Sequence, residues 1–360
     1  MATRRLLIVD DSVVIRQALI AALSREPSLH AVGAASSGRV ALMKIPLLHP
    51  DVVALDLDMP EMDGVETLTA IRQSYPRLPV ILLAASTPQS SVAVVDALAR
   101  GGTDYVLKPA GAVPTDAALR DLVGELISKI ASCCPDVADL PMPPLQRGAS
   151  NRIGASRGVT GRVDVLAIGV STGGPVALMD LIPRFPADFP VPVLIVQHMP
   201  PVFTKLLAER LAAKARLPVA ECPPCGTLAP PQVWIAPGDF HMAVEPEGDV
   251  VRIVRQKHPP ENSCRPAVDV LFRSVARVYG SHALAVVMTG MGQDGLRGCE
   301  SIQAAGGQVL AQDEPTSVVW GMPGFVARAG LADQVVPLSG LGDEILERVY
   351  RHRPIQWRTA

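Results

Sequence analysis

Short apolar runs alternate with amphipathic stretches along the chain, and this alternation occurs twice. The first occurrence covers about residues 6–130, with apolar runs at Leu6–Val9, Val52–Leu55, Val80–Leu83 and Tyr105–Leu107. Strand-length apolar runs that alternate with helical patterns are typical of a parallel sheet wrapped by helices. The second occurrence begins near residue 162, with longer runs at Val163–Val170, Val191–Val196, Val233–Ala236, Val250–Val254, Ala283–Met288 and Gln308–Ala311.

The two occurrences are separated by a segment that lacks apolar periodicity and is rich in proline, glycine and serine. Such a composition is typical of a flexible linker. We therefore predict an α/β protein with two doubly wound parallel-sheet domains, at residues 4–128 and 162–354, joined by a linker at residues 131–161. A chain of 360 residues is long enough for each domain to have its own core.

Charge and composition exclude several classes of partner. The chain has 33 basic and 35 acidic residues, which favours neither nucleic acid nor an anionic membrane as a partner. No apolar run approaches the roughly 18 residues that a membrane span needs, and charge at Asp10 comes too early for a secretion signal. We expect a soluble, cytoplasmic protein without membrane insertion. Cys222 and Cys225 form a single CxxC pair, which we interpret as reduced structural thiols, with zinc or redox chemistry as the alternative.

Acidic residues end several strands of the predicted first sheet. Asp10 and Asp11 follow the first strand, Asp56 ends the third and Lys108 ends the fifth. The carboxyl ends of parallel strands form one rim, so these side chains should converge. Three carboxylates at one place repel each other unless a divalent cation such as Mg²⁺ neutralises them. With a lysine opposite, the pattern indicates phosphoryl transfer to an aspartate.

Three segments of this first domain, Val9–Ser12, Leu55–Gly64 and Tyr105–Pro109, resemble the response-regulator receiver family. The resemblance implies a flavodoxin-like receiver domain in which Asp56 is phosphorylated and Lys108 contacts the phosphoryl group.

The resemblance also implies where Mg²⁺ binds for the phosphorylation step. Its expected ligands come from Asp10, Asp11 and Asp56, together with Asp58 through its backbone carbonyl.

One position departs from the receiver pattern. The fourth strand is followed by Ala84, where receivers usually carry a serine or threonine that reports phosphorylation. The nearest hydroxyl groups belong to Ser86 and Thr87. We hypothesise that switching uses one of these hydroxyls or the aromatic ring of Tyr105.

Three candidate catalytic residues follow apolar strands of the second domain. Ser171 lies in a glycine-rich turn after the first strand, His198 follows the second, and Asp294 follows the strand that ends at Met288. All three should lie on one rim of the sheet, where a nucleophile, a base and an orienting carboxylate suffice for acyl transfer. We therefore predict a Rossmann-like hydrolase domain with a Ser-His-Asp triad. A phosphate cradle is the alternative for the turn, but GxGxxG and the P-loop lysine are absent.

Other histidines compete for the role of base. His241 and His258 also follow strands, so each remains an alternative. His30, His49 and His282 are interpreted as solvated.

Six segments of the second domain resemble the chemotaxis protein-glutamate methylesterase family (CheB). They are Ile168–Gly174, Gln197–Pro200, Ala236–Gly238, Arg265–Phe272, Met288–Gly295 and Gly321–Pro323. The resemblance implies hydrolysis of glutamate methyl esters on chemoreceptors, and deamidation of specific receptor glutamines. It also implies that the receiver covers the active site until a chemosensory histidine kinase phosphorylates Asp56.

Within this resemblance, Ser171 is the expected nucleophile, His198 the base and Asp294 its partner, and no cofactor is expected for the esterase reaction. The backbone amides of Thr172 and Met291 are the candidate oxyanion donors. Two other functions remain open. The second domain could bind a protein or DNA instead, although it has no helix-turn-helix spacing or basic stripe. A hydrolase of the same kind could also act on a small ester, a lipid or a peptide.

Overall fold

The computed structural model of the chain describes residues 3–85, 87–109, 115–133 and 161–353. The chain divides into two compact units, Met1–Asn151 and Arg152–Ala360. The segment predicted as a linker, 131–161, lies outside the described residues except at its ends, and the domain bounds 4–128 and 162–354 stay predictions. Within the described ranges, no helix has both the length and the apolar character needed to cross a membrane.

The first unit is built on a five-stranded parallel sheet. Its strands are Arg4–Val9 (β1), Leu29–Ala35 (β2), Val52–Asp56 (β3), Val80–Ala85 (β4) and Asp104–Lys108 (β5). Its helices are Val13–Leu23 (α1), Gly38–Leu48 (α2), Gly64–Ser74 (α3), Pro88–Ala99 (α4) and Asp116–Cys133 (α5). The strand order β2-β1-β3-β4-β5 is the flavodoxin-like order, so the predicted fold of this domain is confirmed.

Burial explains why these elements could be recognised. Strands β1, β3 and β4 are almost entirely buried, and strands covered on both faces read as continuous apolar runs. Helix α1 buries Ile15, Leu19 and Leu23, which are spaced four residues apart and so lie on one face. Strand β2 had not been located from the sequence, because its residues are mostly half-buried and include His30 and Gly33.

The second unit is built on a seven-stranded parallel sheet. Its strands are Val165–Val170 (β6), Val193–Gln197 (β7), Val219–Glu221 (β8), Val233–Ile235 (β10), Ala283–Val287 (β13), Gln308–Gln312 (β14) and Gln334–Val336 (β15). Its helices are Gly174–Leu181 (α6), Phe203–Ala212 (α7), Val268–Tyr279 (α8), Leu296–Ala304 (α9), Met322–Arg328 (α10) and Leu338–Tyr350 (α11). The order β15-β14-β13-β6-β7-β10-β8 confirms the predicted doubly wound domain.

The chain leaves the central strand β6 toward β7 on one side and later returns to β13 on the other. The carboxyl ends of these three neighbouring strands therefore lie at the switch point of the sheet, where open α/β folds place their ligand sites.

A second, antiparallel sheet lies within the same unit. It consists of Cys225–Thr227 (β9), His241–Glu247 (β11) and Val250–Gln256 (β12) in the order β11-β12-β9. The strand predicted over Val250–Val254 is therefore present, but it belongs to this sheet and not to the parallel one. The reason is the tight turn after β11, where Gly248 adopts a φ of +60° and Glu247 pairs with Val250.

Candidate active site

Ser171 lies in the turn between β6 and α6. Its N–H donates to the carbonyl of Thr289 over 3.0 Å, and the N–H of Gly174 donates back to the carbonyl of Ser171 over 2.8 Å. Gly173 adopts a φ of +78°, which favours glycine. The buried Gln197 at the end of β7 donates from Nε2 to the carbonyl of Ser171 over 3.0 Å. The turn is thus fixed from both sides, and it presents a partly exposed serine at the sheet rim.

The loop after β13 packs directly against this turn. A Cβ atom added to Gly290 would lie 2.8 Å from Ser171 Cβ and 2.4 Å from the sulfur of Met322. Real side chains do not approach this closely, so the packing requires glycine at position 290. It brings the residues that follow β13 beside Ser171.

His198 and Asp294 form a direct contact. His198 Nε2 lies 2.8 Å from Asp294 Oδ2, and the two side chains are only 12% and 2% exposed. Because Nε2 faces the carboxylate, the neutral ring carries its hydrogen there, and Nδ1 is the nitrogen that can accept a proton. Among the described residues, Ser171 Oγ forms no hydrogen bond with the ring. Hydrogen bonds of this kind often tighten only when substrate binds.

The carboxylate of Asp294 is surrounded by hydrogen-bond donors. The N–H groups of Val268, Asp269 and Gly295 donate to it over 2.6, 3.0 and 3.0 Å. The first two belong to the first turn of α8, whose positive end favours an anion. Burial by itself raises the pKa of Asp294, but the contact with His198 and the backbone donors outweigh it and lower the pKa. Asp294 is therefore a carboxylate at neutral pH.

The charge of His198 follows from the same contacts. Burial disfavours the imidazolium and lowers the pKa of His198, but the contacts with Asp294 and Cys264 outweigh burial and raise it to about 9. The base form therefore becomes dominant only in alkaline solution.

The two alternative bases have other partners. His241 is fully buried, with Nε2 3.1 Å from the carbonyl of Pro259, and its Nδ1 accepts a hydrogen bond from the N–H of Ala267 over 3.2 Å. Both of its ring nitrogens are therefore engaged by the backbone. His258 is exposed. In the described part of the chain, neither histidine forms a hydrogen bond with Asp294.

The candidate oxyanion donors lie on the two loops that meet at the nucleophile. Thr172 is buried in the turn after β6, and Met291 is 45% exposed in the loop after β13. The backbone amides of Ser171, Gly174 and Gly290 donate to carbonyl groups of the fold. The amides of Thr172 and Met291 stay the predicted donors.

Three residues near the His198–Asp294 pair had received no role from the sequence. Cys264 Sγ lies 3.7 Å from His198 Nδ1, and Asn262 donates to both Asp269 and Asp294. Asp269 is a buried acid in a segment of apolar residues, and that signal could have identified it.

The first unit has an acidic cluster at the carboxyl ends of β1 and β3. Asp10, Asp11 and Asp56 each offer an oxygen, all within 4.8 Å of one another. Lys108 Nζ lies 2.6 Å from Asp56 Oδ1 and 3.5 Å from Asp10 Oδ2. The structure thus brings together the four side chains expected to converge. The Asp58 side chain instead accepts a hydrogen bond from Ser90 Oγ over 3.0 Å.

This cluster fits a hard divalent cation such as Mg²⁺. Asp56 Oδ2 is buried and has no hydrogen-bond partner among the described residues, and the available ligands are all oxygens. Burial, followed by repulsion from Asp10, raises the pKa of Asp56 to about 6, although Lys108 acts to lower it. A cation would relieve this unfavourable charge.

The structure describes three of the positions that bear on the proposed switching. Ala84 is fully buried at the end of β4, and Ser86 lies outside the described residues. Thr87 caps α4, accepting a hydrogen bond from the N–H of Ser90 over 3.1 Å, and its hydroxyl lies 2.8 Å from that of Ser90. Tyr105 is buried, with Lys129 Nζ 4.9 Å from its ring centre. Ser90 was not among the residues predicted for switching, because its only sequence signal is its place at the start of a helix.

Comparison with known protein families assigns both units. Residues 6–120 match the response regulator receiver domain, and residues 166–345 match the CheB methylesterase domain. The two matches define a class of protein in which a response-regulator receiver domain is followed along the chain by a hydrolase domain of the methylesterase type.

Individual relatives agree with this class. A protein of Trichodesmium erythraeum named protein-glutamate methylesterase/protein-glutamine glutaminase is 49% identical over 352 residues, which is 96% of this chain and 99% of that protein. A protein of the same name from a Nocardioides species is 45% identical, covering 97% of this chain and 96% of its own. The crystal structure of the Thermotoga maritima CheB methylesterase catalytic domain matches with a TM-score of 0.51 and 42% identity, covering 51% of this chain and 98% of that one. The chain belongs to the CheB methylesterase family.

Proposed function

We propose that the protein hydrolyses glutamate methyl esters on chemoreceptors and that phosphorylation of its receiver domain activates it. The main support is that a relative named protein-glutamate methylesterase/protein-glutamine glutaminase matches 96% of the chain, through both domains. The buried His198–Asp294 contact beside the Ser171 turn supplies groups suited to this reaction. Deamidation of receptor glutamines uses the same acyl chemistry, so we propose it as a second activity.

Ser171, His198 and Asp294 are the proposed catalytic residues. Ser171 Oγ attacks the ester carbonyl while its proton moves to His198 Nδ1, and the bond to the methoxy group breaks as His198 protonates the leaving methanol. Water then attacks the acyl-enzyme, gives a proton to His198 and releases the glutamate product, and Ser171 recovers that proton. Asp294 stays ionised and stabilises the imidazolium.

The negative charge that develops on the carbonyl oxygen needs donors. We assign this role to the backbone amides of Thr172 and Met291, and losing one such donor typically costs about 10²- to 10³-fold in rate. The three proposed catalytic residues and these two amides account for every step of the ester hydrolysis, so no cofactor is proposed for it.

Regulation is assigned to the receiver domain, with Asp56 as the phosphoacceptor. Asp10, Asp11, Asp56 and the backbone carbonyl of Asp58 would hold Mg²⁺, which neutralises charge on the transferring phosphoryl group. Lys108 would hold a phosphoryl oxygen, and the 2.6 Å distance from its Nζ to Asp56 Oδ1 supports this role.

The proposed partners follow from this function. Methyl-accepting chemoreceptors are the substrate and a chemosensory histidine kinase is the phosphodonor, both met in the cytoplasm. The near-neutral balance of 33 basic and 35 acidic residues gives no support for nucleic acid as a partner.

The experiment that tests the activity is methanol release from methylated receptor by the full-length protein, beside a small soluble ester. We expect release from the receptor by the wild type and none by Ser171→Ala. Hydrolysis of the small ester alone would move the assignment to another ester. Release that persists in Ser171→Ala would contradict the proposed mechanism.

A further inference from the structure

A four-residue turn, Glu261–Cys264, contacts both the base and the acid of the proposed triad. Its ends pair through two backbone hydrogen bonds of 3.0 and 2.9 Å. Its central residues, Asn262 and Ser263, have φ values of +52° and +62°, as in a type I′ turn. Arg273 of α8 anchors the turn by two hydrogen bonds to the Glu261 carboxylate, of 2.6 and 2.5 Å. The turn is therefore held firmly against α8.

Asn262 bridges two buried carboxylates. Its Nδ2 donates to Asp294 Oδ1 over 2.8 Å and to Asp269 Oδ2 over 2.9 Å. Asp269 is 1% exposed and Asp294 is 2% exposed. Two buried carboxylates that contact the same amide group disfavour each other's ionisation. The shared donor offsets that repulsion.

The other partners of Asp269 are also donors. Its Oδ1 accepts hydrogen bonds from the N–H groups of Gly295 and Gly298, at the start of α9, over 3.0 and 2.6 Å. Asp294 is likewise contacted by backbone N–H groups of α8. All these contacts favour the carboxylate forms, and Asn262 is the side-chain donor that touches both acids.

We infer that Asn262 is a positioning residue, which holds Asp294 Oδ1 so that Oδ2 faces His198 Nε2 and which moderates the negative charge that His198 meets. This inference rests on the proposed ester hydrolysis. The other titratable groups that face the pair are Cys264, beside His198 Nδ1, and Asp269. Glu261 also lies nearby, but its charge is paired with Arg273.

Three variants distinguish a role of the Asn262 side-chain amide from a role of the backbone conformation of the turn. Asn262→Gly keeps a residue that accepts a positive φ but removes the amide, and Asn262→Asp puts a third carboxylate in its place. Ser263→Gly is the matched control, since it changes the neighbouring turn residue, which has no hydrogen bond of its side chain among the described residues. Both sites, Asn262 and Ser263, are exposed, so the fold should tolerate the changes.

The expected results differ among the variants. Asn262→Gly should lower kcat about 10- to 100-fold with little change in KM. Losses of this size are typical when a residue that orients another functional side chain is removed. Asn262→Asp should move the pH at which kcat/KM reaches half its maximum upward by about one unit, because added negative charge favours the imidazolium. Ser263→Gly should match the wild type in kcat and in the pH dependence of kcat/KM.

A titration of His198 by NMR, assigned with His198→Gln, gives a readout that needs no substrate. The His198 pKa should be higher in Asn262→Asp than in the wild type. Identical titrations in the two proteins, unchanged kcat in Asn262→Gly, or a change confined to KM would each overturn the inference while Ser171-dependent hydrolysis stands. Absence of that hydrolysis in the wild type would overturn the proposed function instead, and the titration would still decide the role of Asn262.

Discussion

The orientation of the His198 ring decides which nitrogen takes part in catalysis. In the chymotrypsin arrangement Nδ1 contacts the acid and Nε2 takes the proton. Here Nε2 contacts Asp294 at 2.8 Å, so in the proposed mechanism the proton goes to Nδ1. The neighbour of Nδ1 is Cys264, whose sulfur lies 3.7 Å away. A thiol therefore lies beside the atom that accepts the Ser171 proton in the proposed mechanism.

The raised pKa of His198 predicts how hydrolysis depends on pH. Only the neutral ring can accept the proton of Ser171, and the pKa in the free protein is about 9. We expect log kcat/KM for a small ester to rise with a slope near one above about pH 7 and to level off near pH 9. A profile that levels off at the ordinary histidine value, about 6.5, would show that His198 is not held as the imidazolium.

The place of Cys264 predicts sensitivity to thiol reagents. An alkyl group on its sulfur would crowd His198 Nδ1, so we expect alkylation to remove nearly all ester hydrolysis. Cys264→Ala should keep hydrolysis and resist the reagent, whereas Cys225→Ala, which removes an exposed thiol elsewhere, should stay sensitive. Equal inhibition of Cys264→Ala would assign the effect to another residue.

At the scale of the elements, the close approach of the loop after β13 to the Ser171 turn predicts the effect of a single methyl group. In Gly290→Ala the new Cβ would lie 2.8 Å from Ser171 Cβ and 3.1 Å from its backbone nitrogen. We expect a loss of about 1–3 kcal/mol in the free energy of unfolding, as for other overpacked sites, together with lower esterase activity.

Urea unfolding and ester hydrolysis measure the two effects of Gly290→Ala. Gly124→Ala is the matched control, because a Cβ there meets nothing within 4 Å. Wild-type stability and activity in Gly290→Ala would mean that the two loops do not pack as closely as described.

Hydroxyl groups at the start of α4 are linked to Asp58, whose backbone carbonyl is a proposed Mg²⁺ ligand. Ser90 Oγ donates to Asp58 Oδ2 over 3.0 Å and lies 2.8 Å from Thr87 Oγ1. The hydrogen bond from Ser90 to the Asp58 carboxylate involves a charged group and so contributes about 1.5–3 kcal/mol, and Thr87 contacts the same hydroxyl. Ser90→Ala and Thr87→Ala should therefore make stimulation by a phosphodonor several-fold smaller. The measurement is the ratio of methanol release with and without the phosphodonor, with Ser132→Ala on α5 as control. Full stimulation in Ser86→Ala, Thr87→Ala and Tyr105→Ala would refute the switching hypothesis.

The elements show what a sequence pattern can and cannot predict. Strands β1, β3, β4, β6, β7 and β13 are buried on both faces, so their apolar runs were visible, as were the residues that follow them. Strands β2 and β11 lack such runs, and their places had to come from the structure. The run of β12 was visible, but its pairing in the antiparallel sheet was not. Asn262 was missed because its contact with Asp294 joins residues 32 positions apart, and no local pattern encodes that approach.

At the scale of the whole molecule, the chain combines a phosphate-accepting domain and a hydrolase domain. The receiver match and the acidic cluster with Lys108 support the proposal that phosphorylation of the first domain controls hydrolysis by the second.

The most direct test is methanol release from methylated receptor by the full-length protein, with and without a small phosphodonor and Mg²⁺. We predict that the wild type is stimulated, that Asp56→Ala keeps only its basal release, and that Ser171→Ala releases no methanol under either condition. Stimulation that survives in Asp56→Ala, or a wild type that does not respond to the phosphodonor, would contradict a phosphorylation-controlled esterase.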